Sequence, residues 1–446
     1  MGKYLTPTLP EGLGDEKDLI SIPIYQGQPS LAACAGVFLR QVFVLLLLVP
    51  LFLLLLPFSL LGRAAFGRDP TAPRLSHIFK LVGLALFDKD MVQPMSFGAR
   101  IRTALGLVTI ALRCHSLWAV CWYIDELLGL CGGWKSAEII DPVFLISNAR
   151  TGSTELGVKM YEVGNHLLAP CSLQVVMPYI WVWKIARAVC CLDRGKLVAN
   201  MHEHMERNSP EFFKRHKGHP FKPDTFEVLV CMTTMALGPM NMMVGANAPP
   251  YGVYPETEED DVEHFCRFVD SIFKKVLHFN GRPQQRRPYI KGHFIHAAPR
   301  LYQKYPSAVF ATVVRPIDKM FQSQANFLHV QPFNKAMAVS CPPWPWVRNI
   351  FLKYNIDYCQ REMDFYLEDV PDSKRIVIQF EDYVKDLPGS IRKILEEGRG
   401  LTVTEEEIEM ATGSKLTTIK GAKESYEVNV SCNDLGISQE WFENLD

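Results

Sequence analysis

Residues 143–154 read VFLISNARTGST, a short apolar run that leads into a turn with one glycine. The run VFLIS is largely apolar on both faces, which is typical of a strand covered by helices in a parallel sheet. After Gly152 a helical pattern begins, with apolar residues at Leu156, Met160 and Tyr161. A strand, a short turn and a helix N-terminus form a site for an anion, because free backbone N–H groups and the helix dipole point at the ligand.

Arg150 and the hydroxyl residues around the glycine add side chains that suit an anion. The guanidinium group is a planar cation that matches phosphate oxygens, and three hydroxyl groups add donors. These hydroxyls belong to Thr151, Ser153 and Thr154. A GxxxxGK[ST] Walker loop is absent from the sequence, which disfavours an ordinary ATPase or GTPase. Taken alone, the turn fits a plain N-capped helix as well as it fits a phosphate loop.

Further short apolar runs follow along the chain and alternate with helical patterns. The predicted strands are Val143–Ser147, Pro288–Lys291, Val309–Val314 and Ile376–Phe380, and the predicted helices include Asp260–Phe279 and Tyr354–Leu367. This alternation predicts an α/β domain with a central parallel sheet over roughly three hundred residues.

A second anion site is indicated where the strand VFATVV ends. Arg315 follows this strand directly, and Ser323 lies two turns into the next predicted helix. An arginine at the carboxyl end of a parallel strand lies at the edge where α/β sheets bind their ligands. Between the two sites in sequence, another predicted strand ends with Lys291 and is followed by His293.

This set of motifs resembles the sulfotransferases that use 3′-phosphoadenosine 5′-phosphosulfate (PAPS). Their first loop has Arg or Lys, Ser or Thr, Gly and two more Ser or Thr, which is similar to residues 150–154. Their second site has an Arg followed eight residues later by a Ser, the spacing of Arg315 and Ser323. The cytosolic branch has Lys-Thr-His where residues 291–293 read KGH, and residues 376–382 (IVIQFED) resemble the family's late strand that ends in Glu-Asp.

The resemblance implies a P-loop-like sulfotransferase fold and transfer of a sulfuryl group from PAPS to a hydroxyl or amine of a lipid, sterol or carbohydrate. It implies that the Arg150 loop holds the 5′-phosphosulfate and that Arg315 and Ser323 bind the 3′-phosphate. His293, if neutral, would take the proton of the acceptor hydroxyl as general base, and Lys291 would assist at the sulfuryl oxygens. No metal is implied, because fixed cations stabilise the developing charge.

Three alternatives stay open from the residues. Glu155, beside the loop, is an alternative base, since other sulfotransferase branches use a carboxylate. Gly292 and Pro316 depart from the family pattern, which leaves open a catalytically inactive, sulfotransferase-like membrane scaffold. His219 and Asp224 form an H-x4-D pair like that of membrane glycerolipid acyltransferases.

Val42–Leu61 is the most apolar stretch of the chain, with 20 positions and no charge. A helix of this length rises about 30 Å, the thickness of the hydrocarbon core of a bilayer. The sequence therefore predicts a transmembrane helix over residues 41–62 and a lipid bilayer as its partner. A second apolar stretch, Thr103–Leu130, carries Arg113 and Asp125, which predicts an amphipathic helix on the membrane surface rather than a second span.

The orientation of a single span is contested within the sequence. Arg63 and Arg68 follow the span, which favours a cytosolic position for the rest of the chain. Residues 1–6, MGKYLT, match the pattern for myristoylation at Gly2, which needs a cytosolic N-terminus. With that orientation the large domain lies in a secretory lumen, and the family resemblance favours the Golgi.

Composition excludes several other classes of protein. The 446 residues carry 47 basic and 48 acidic side chains, a net charge of −1, which excludes a nucleic-acid binder held by a basic field. Twelve cysteines form no CxxC pair, so zinc-ribbon and thioredoxin sites are excluded. The predicted organisation is a tail (1–40), a transmembrane helix (41–62), a membrane-proximal helical region (63–138) and a sulfotransferase domain (139–446).

Overall fold

The computed structural model describes residues 31–72, 74–87, 97–189, 194–208, 219–226, 259–281, 286–328, 344–413, 431–433 and 436–443. Most of the predicted tail, with Gly2, lies outside the described residues.

Five parallel strands form the central sheet within this part of the chain. They are β1 (Val143–Ile146), β2 (Leu167–Leu168), β3 (Arg287–Gly292), β4 (Val309–Val314) and β5 (Arg375–Gln379), and they lie in the order β2-β3-β1-β4-β5. In the register, Leu145 of β1 stands opposite Lys291 of β3 and Ala311 of β4. The predicted parallel α/β sheet is confirmed, and only the two-residue strand β2 was missed.

Helices surround the sheet and precede it. They are α1 (Leu31–Phe66), α2 (Leu75–Phe87), α3 (Phe97–Arg113), α4 (Ala119–Gly132), α5 (Ser153–Glu162), α6 (Ser172–Val176), α7 (Ile180–Val189), α8 (Arg194–Asn208), α9 (Glu259–Phe279), α10 (Ala298–Lys304), α11 (Ile317–Leu328), α12 (Trp344–Asp364), α13 (Phe380–Lys385), α14 (Leu387–Arg392), α15 (Glu405–Thr412) and α16 (Gln439–Glu443). A π-helical turn, Cys114–Trp118, joins α3 to α4, so that 97–132 is one helical run.

Successive residues of β1 face two different layers of the core. Phe144 packs on one side of the sheet, with its ring centroid 5.0 Å from that of Phe310 and 5.9 Å from that of Phe273 on α9. Leu145 packs on the other side in a cluster that includes Leu156 of α5. Because β1 is buried on both faces, it lies at the centre of the sheet, and the loop that follows it opens at the carboxyl edge.

The helix α4 belongs to the same hydrophobic core as the sheet. Trp122 of α4 is buried, and its ring centroid lies 6.1 Å from that of Phe268 on α9. Trp134, just after α4, is buried in the same cluster. Packing therefore crosses the predicted boundary at residue 138.

A buried ion pair joins α4 to α9. Asp125 and Lys275 have side chains with 0% exposure, and the Lys275 Nζ lies 2.8 Å from the Asp125 Oδ2. The carboxylate also accepts hydrogen bonds from the backbone N–H groups of Ile180 and Trp181, at 2.7 and 3.2 Å. Lys275 also donates to the carbonyl of Pro178 at 2.8 Å. With all these bonds made, the two buried charges are satisfied and fix α4 against the sheet.

We predict that Lys275→Met lowers the free energy of unfolding by about 3–5 kcal/mol, because it leaves the Asp125 carboxylate buried without its countercharge. The control is Lys274→Met, whose ammonium lies 3.0 Å from Asp270 in a partly exposed pair and which should cost less than about 1 kcal/mol. Chemical denaturation of the full chain in detergent, followed by tryptophan fluorescence, measures both. Equal effects of the two substitutions would contradict a structural role for the buried pair.

Candidate active site

The loop after β1 turns sharply at Arg150 and Gly152, which have φ angles of 69° and 81°. The left-handed backbone costs a residue with a side chain about 1–2 kcal/mol, whereas glycine adopts it freely. The arginine is therefore held in this conformation by its contacts with the rest of the protein.

Two predicted residues of the second site make these contacts. The Arg315 Nη1 donates to the Arg150 carbonyl oxygen at 2.8 Å. The Arg150 Nε donates in turn to the Ser323 Oγ at 3.1 Å. The structure thus brings the two sequence motifs together into one cationic cluster, which we call the arginine clamp and define as Arg150, Arg315 and Ser323.

Residues after β5 shape the loop from another side. A Cβ atom on Gly152 would lie 2.9 Å from Tyr383 and 3.1 Å from Phe380, so the glycine leaves room for these two rings. The guanidinium carbon of Arg315 lies 4.3 Å from the centroid of the Phe380 ring. The predicted extension of the last strand to Phe380 is wrong by one residue, because β5 ends at Gln379 and α13 begins at Phe380.

The three hydroxyl groups of the loop play different parts. The Thr151 Oγ1 donates to the carbonyl of Asn148 at 2.9 Å, so its proton is used inside the loop. Ser153 is buried at the start of α5. Thr154 accepts a hydrogen bond of 2.8 Å from the Lys291 Nζ, which leaves its own proton for another acceptor. The assignment of Thr151, Ser153 and Thr154 to a ligand stays a prediction, and in this structure the Thr151 hydroxyl stabilises the loop itself.

Lys291 and His293 lie at the carboxyl end of β3, beside the loop. The Lys291 Nζ donates to the hydroxyls of Thr154 and Thr225, at 2.8 and 2.6 Å. The His293 Nδ1 lies 2.5 Å from the carbonyl oxygen of Ser147. Because a carbonyl oxygen only accepts, Nδ1 carries the proton and Nε2 keeps a free lone pair.

His293 is neutral at physiological pH. Burial lowers its pKa well below the ordinary value, and the positive charge of Lys291 lowers it further. The carbonyl of Ser147 and the charge of Asp224 act in the opposite direction. A neutral imidazole with a free Nε2 is the form that a general base needs.

Arg315 has a donor that is ready for a ligand. Its Nε is buried, and no hydrogen-bond partner for it lies within the described part of the chain. Ser323 accepts from Arg150 and retains its own hydroxyl proton. A phosphate group fits this pair, since its oxygens accept both from a guanidinium group and from a hydroxyl.

Two solved structures have the same architecture. A sulfotransferase from Mycobacterium tuberculosis superposes with a TM-score of 0.56 at 14% identity, covering 87% of this chain and 97% of that chain. A sulfotransferase from Mycobacterium avium superposes with a TM-score of 0.52 at 11% identity, covering 83% and 94%. The chain has the sulfotransferase fold. No protein-family model matches the sequence, and no curated protein matches it at a significant level.

This sulfotransferase fold confirms the architecture that the motifs predicted. The sheet order puts β1 beside both β3 and β4, so the loop after β1, the end of β3 and the end of β4 meet at one edge. That edge carries the arginine clamp, Lys291 and His293.

A buried polar chain below the loop was missed by the sequence analysis. The Asn148 Nδ2 donates to the Asn355 Oδ1 at 3.1 Å, and the Asn355 Nδ2 donates to the Gln324 Oε1 at 2.6 Å. All three side chains are buried. These hydrogen-bonded side chains connect the loop through α12 to α11, which also carries Ser323. An asparagine and a glutamine within helical patterns gave too weak a sequence signal to identify it.

Ser147 links the proposed base to β4 and α12. Its Oγ accepts from the backbone N–H of Val313 at 2.9 Å and from the Thr312 hydroxyl at 3.3 Å. Burial raises the pKa of Glu362 to about 8, so at neutral pH this carboxyl is protonated and donates to the Thr312 hydroxyl, whose single proton is directed at Ser147. Since the carbonyl of the same serine holds His293, the imidazole is positioned by a network that reaches two neighbouring elements.

The residues of the two alternative interpretations, His219 with Asp224 and Glu155, make contacts of their own. His219 accepts from the backbone N–H of Phe221 at 3.1 Å, and its ring lies 6.4 Å from that of His202. Asp224 accepts from the backbone N–H of Thr225 at 2.7 Å. Glu155 is exposed on the first turn of α5.

Metal ligands form no cluster in the ranges that the structure covers. No group of three or more His, Cys, Asp or Glu side chains within them is arranged to hold a metal ion.

We predict that Gly152→Ala disrupts the loop, because the new Cβ combines a left-handed backbone with overlap against Tyr383 and Phe380. Gly400→Ala is the matched control, since Gly400 has a φ of 63° but nothing within 4 Å of a Cβ. The control should cost only the backbone term of about 1–2 kcal/mol. Denaturation midpoints of the two variants measure the difference, and equal midpoints would show that the close packing at residue 152 is unimportant.

Proposed function

We propose that the chain is a PAPS-dependent sulfotransferase that transfers the sulfuryl group to a hydroxyl or amine of a lipid, sterol or carbohydrate. The observation that carries this proposal is the arginine clamp beside a neutral His293. Two guanidinium groups, linked by the hydrogen bond from Arg315 to the Arg150 carbonyl, suit a ligand with two anionic ends, and PAPS is such a ligand.

The two halves of the donor would use different parts of the clamp. The backbone of residues 150–154 and the Arg150 side chain would hold the 5′-phosphosulfate at the start of α5. Arg315 and Ser323 would hold the 3′-phosphate, through the Arg315 Nε that lacks a partner among the described residues. The 3′-phosphate distinguishes this donor from ATP, so the second site would provide the specificity.

The proposed reaction is an in-line transfer. The acceptor oxygen forms a bond to sulfur while the bond from sulfur to the phosphate oxygen breaks, and 3′,5′-ADP leaves with the negative charge. The acceptor's proton goes to the His293 Nε2. Such a transfer needs little covalent help and depends on positioning and charge stabilisation. Lys291, held by two threonine hydroxyls, would stabilise the sulfuryl oxygens and Arg150 the departing phosphate.

The two other candidate functions have less support. An acyltransferase would need His219 and Asp224 to act as a pair. The charge of Asp224 instead raises the pKa of His293, whereas the pKa of His219 is lowered by its burial and by the charges of Lys222 and His202, against the charge of Glu162. For an inactive scaffold the departure at Pro316 would have to disturb the site. Its carbonyl instead accepts the first hydrogen bond of α11, from Met320 at 3.0 Å.

The proposal includes a location at a membrane of the secretory pathway, with the Golgi favoured by the sulfation of glycans that would occur there. Two helical runs, Ala35–Phe66 and Arg100–Leu130, are long and apolar enough to cross a bilayer. The acceptor is a small molecule or a glycan in this proposal, and PAPS is a co-substrate.

We predict that the full chain in detergent binds 3′,5′-ADP and that Arg315→Ala weakens this binding about 10- to 100-fold, because a charge-assisted contact is lost. Calorimetric titration measures the affinity, with 5′-AMP as the ligand that lacks the 3′-phosphate. Arg300→Ala is the control variant, since this exposed arginine pairs with Glu263 on α9. Unchanged affinity in a folded Arg315→Ala protein would remove the 3′-phosphate site from the proposal.

We predict that His293→Ala keeps the affinity for 3′,5′-ADP and loses about 10²- to 10⁴-fold in turnover. Because burial lowers the pKa of His293, protonation should inactivate the enzyme only well below pH 6.5, so activity persists as the pH falls through that value. The pH dependence of kcat/KM with PAPS measures this acid limb. Glu155→Gln is the companion variant: if it loses turnover while His293→Ala keeps it, the base is the carboxylate.

A further inference from the structure

The helix α1 and the helical run 97–132 lie side by side and point in the same direction. A Cβ atom on Gly62 would overlap the ring of Tyr123, and the Phe66 ring stacks on the same tyrosine with centroids 6.3 Å apart. The helix α1 also contacts α3 and the π-helical turn, which precede Tyr123 in sequence. Since Gly62 and Phe66 stand at the end of α1, these earlier contacts belong to earlier residues of α1, and the two helices are parallel.

Their register aligns the charges at both ends. Tyr123 lies 61 positions after Gly62, so Arg40 of α1 stands level with Arg100 and Arg102 of α3. At the other end, Arg63 stands level with Asp125. The stretch Val42–Leu61 therefore lies beside residues 103–122, in which Arg113 is the only formal charge. Each stretch has 20 positions and rises about 30 Å, which matches the hydrocarbon core of a bilayer.

The exposure of α1 is the reverse of that in a water-soluble helix. Its polar side chains Gln41 and Ser59 are buried, whereas large apolar side chains such as Leu46 and Leu54 are 68% and 67% exposed. A helix whose polar residues face its neighbours and whose leucines face outward is suited to contact with lipid. In the second helical run, Leu117 also faces outward, at the level of the leucines of α1.

The helix α2, which lies between α1 and α3 in sequence, runs in the opposite direction to both. The Tyr123 hydroxyl donates to the carbonyl of Gly67 at 3.0 Å, so the chain leaves α1 at the level of the α/β domain. The carbonyl of Leu86 accepts from the Arg100 Nη1 at 3.5 Å, so α2 ends at the opposite level, where α3 begins. The helix α2 packs against α3 along the way. Its 13 residues rise about 20 Å along this return path.

We propose that residues 31–132 form a three-crossing membrane unit, in which α1 and the run 97–132 span the bilayer in parallel and α2 returns in the opposite direction, packed against α3. This replaces the sequence expectation of one span followed by a helix on the membrane surface. It places Arg100 and Arg102 on the same side as the N-terminus. The positive charges that flank the spans on that side then match those of Arg63 and Arg68 on the other side. The N-terminus and the α/β domain lie on opposite sides of the membrane, and the Asp125–Lys275 pair fixes the domain to this unit.

The consequence is a domain held rigidly at the bilayer surface rather than tethered by a linker. The last helix of the membrane unit, α4, is part of the hydrophobic core that also includes Phe144 of β1. The position of the sheet relative to the lipid surface is therefore set by packing. This inference concerns the membrane unit alone and does not depend on the chemistry of the site.

Side-specific labelling of the full chain in sealed microsomes tests the proposal. An amino acid with a terminal alkyne replaces one exposed residue at a time, and a membrane-impermeant azide reports the side on which it lies. The chosen positions are Leu75 at the start of α2, Phe87 at its end, Phe97 at the start of α3, and Met410 on α15 as the marker of the α/β domain. All four side chains are exposed, so the replacements leave the packing intact.

The three-crossing arrangement predicts that Leu75 and Met410 react from one side and that Phe87 and Phe97 react from the other. Reaction of Leu75 and Phe97 from the same side overturns the proposal, because α2 would then not return through the bilayer. Phe87 serves as the second reporter for the same side as Phe97, which keeps the test decisive if one variant fails to accumulate. Calorimetric titration with 3′,5′-ADP stays a separate measurement, so failure of the proposed function and failure of this topology are distinguishable.

Discussion

The left-handed backbone at Arg150 is the constraint on which the site depends. A residue with a side chain keeps this conformation only when its surroundings hold it, and here Arg315 holds the carbonyl while Ser323 holds the side chain. The loop after β1 is thus completed by the end of β4 and by α11. The two motifs that the sequence predicts to bind anions form one structural unit, since the second motif shapes the backbone of the first.

Ser147 positions His293 in the same way as Arg315 positions Arg150, through a contact with a backbone carbonyl. Its carbonyl fixes the tautomer of His293, and its hydroxyl is fixed by β4 through Val313 and Thr312. Burial next to Lys291 keeps the imidazole neutral, so its second nitrogen retains a lone pair that can accept a proton. Positioning by backbone and hydroxyl groups fits a reaction in which orientation and charge stabilisation supply most of the rate.

The membrane-proximal helices are as much a part of the core as the sheet is. The ion pair of Asp125 and Lys275 has no contact with water, and its remaining hydrogen-bonding groups are satisfied by the backbone. Such a pair is costly to break and specifies one relative position of α4 and α9. The helix α1 also packs in a definite orientation, because Gln41 is buried against its neighbours while its leucines face outward.

Local patterns were sufficient to predict four of the five strands, the turn at Gly152 and the helix that follows it, because these features involve residues close in sequence whose periodicity and turn chemistry act locally. The strand β2 was missed because two residues carry no periodic pattern. Contacts between distant parts of the chain required the tertiary structure. Arg150 and Ser323 lie 173 positions apart, and Asn148 and Asn355 lie 207 positions apart. Nor did the apolar stretch 103–130 reveal its direction or its neighbour, since its pattern fits a surface helix as well as a span. Only the packing of Tyr123 against Gly62 and of Lys275 against Asp125 decided where it lies, because a contact between surfaces depends on both of them and is not encoded in either alone.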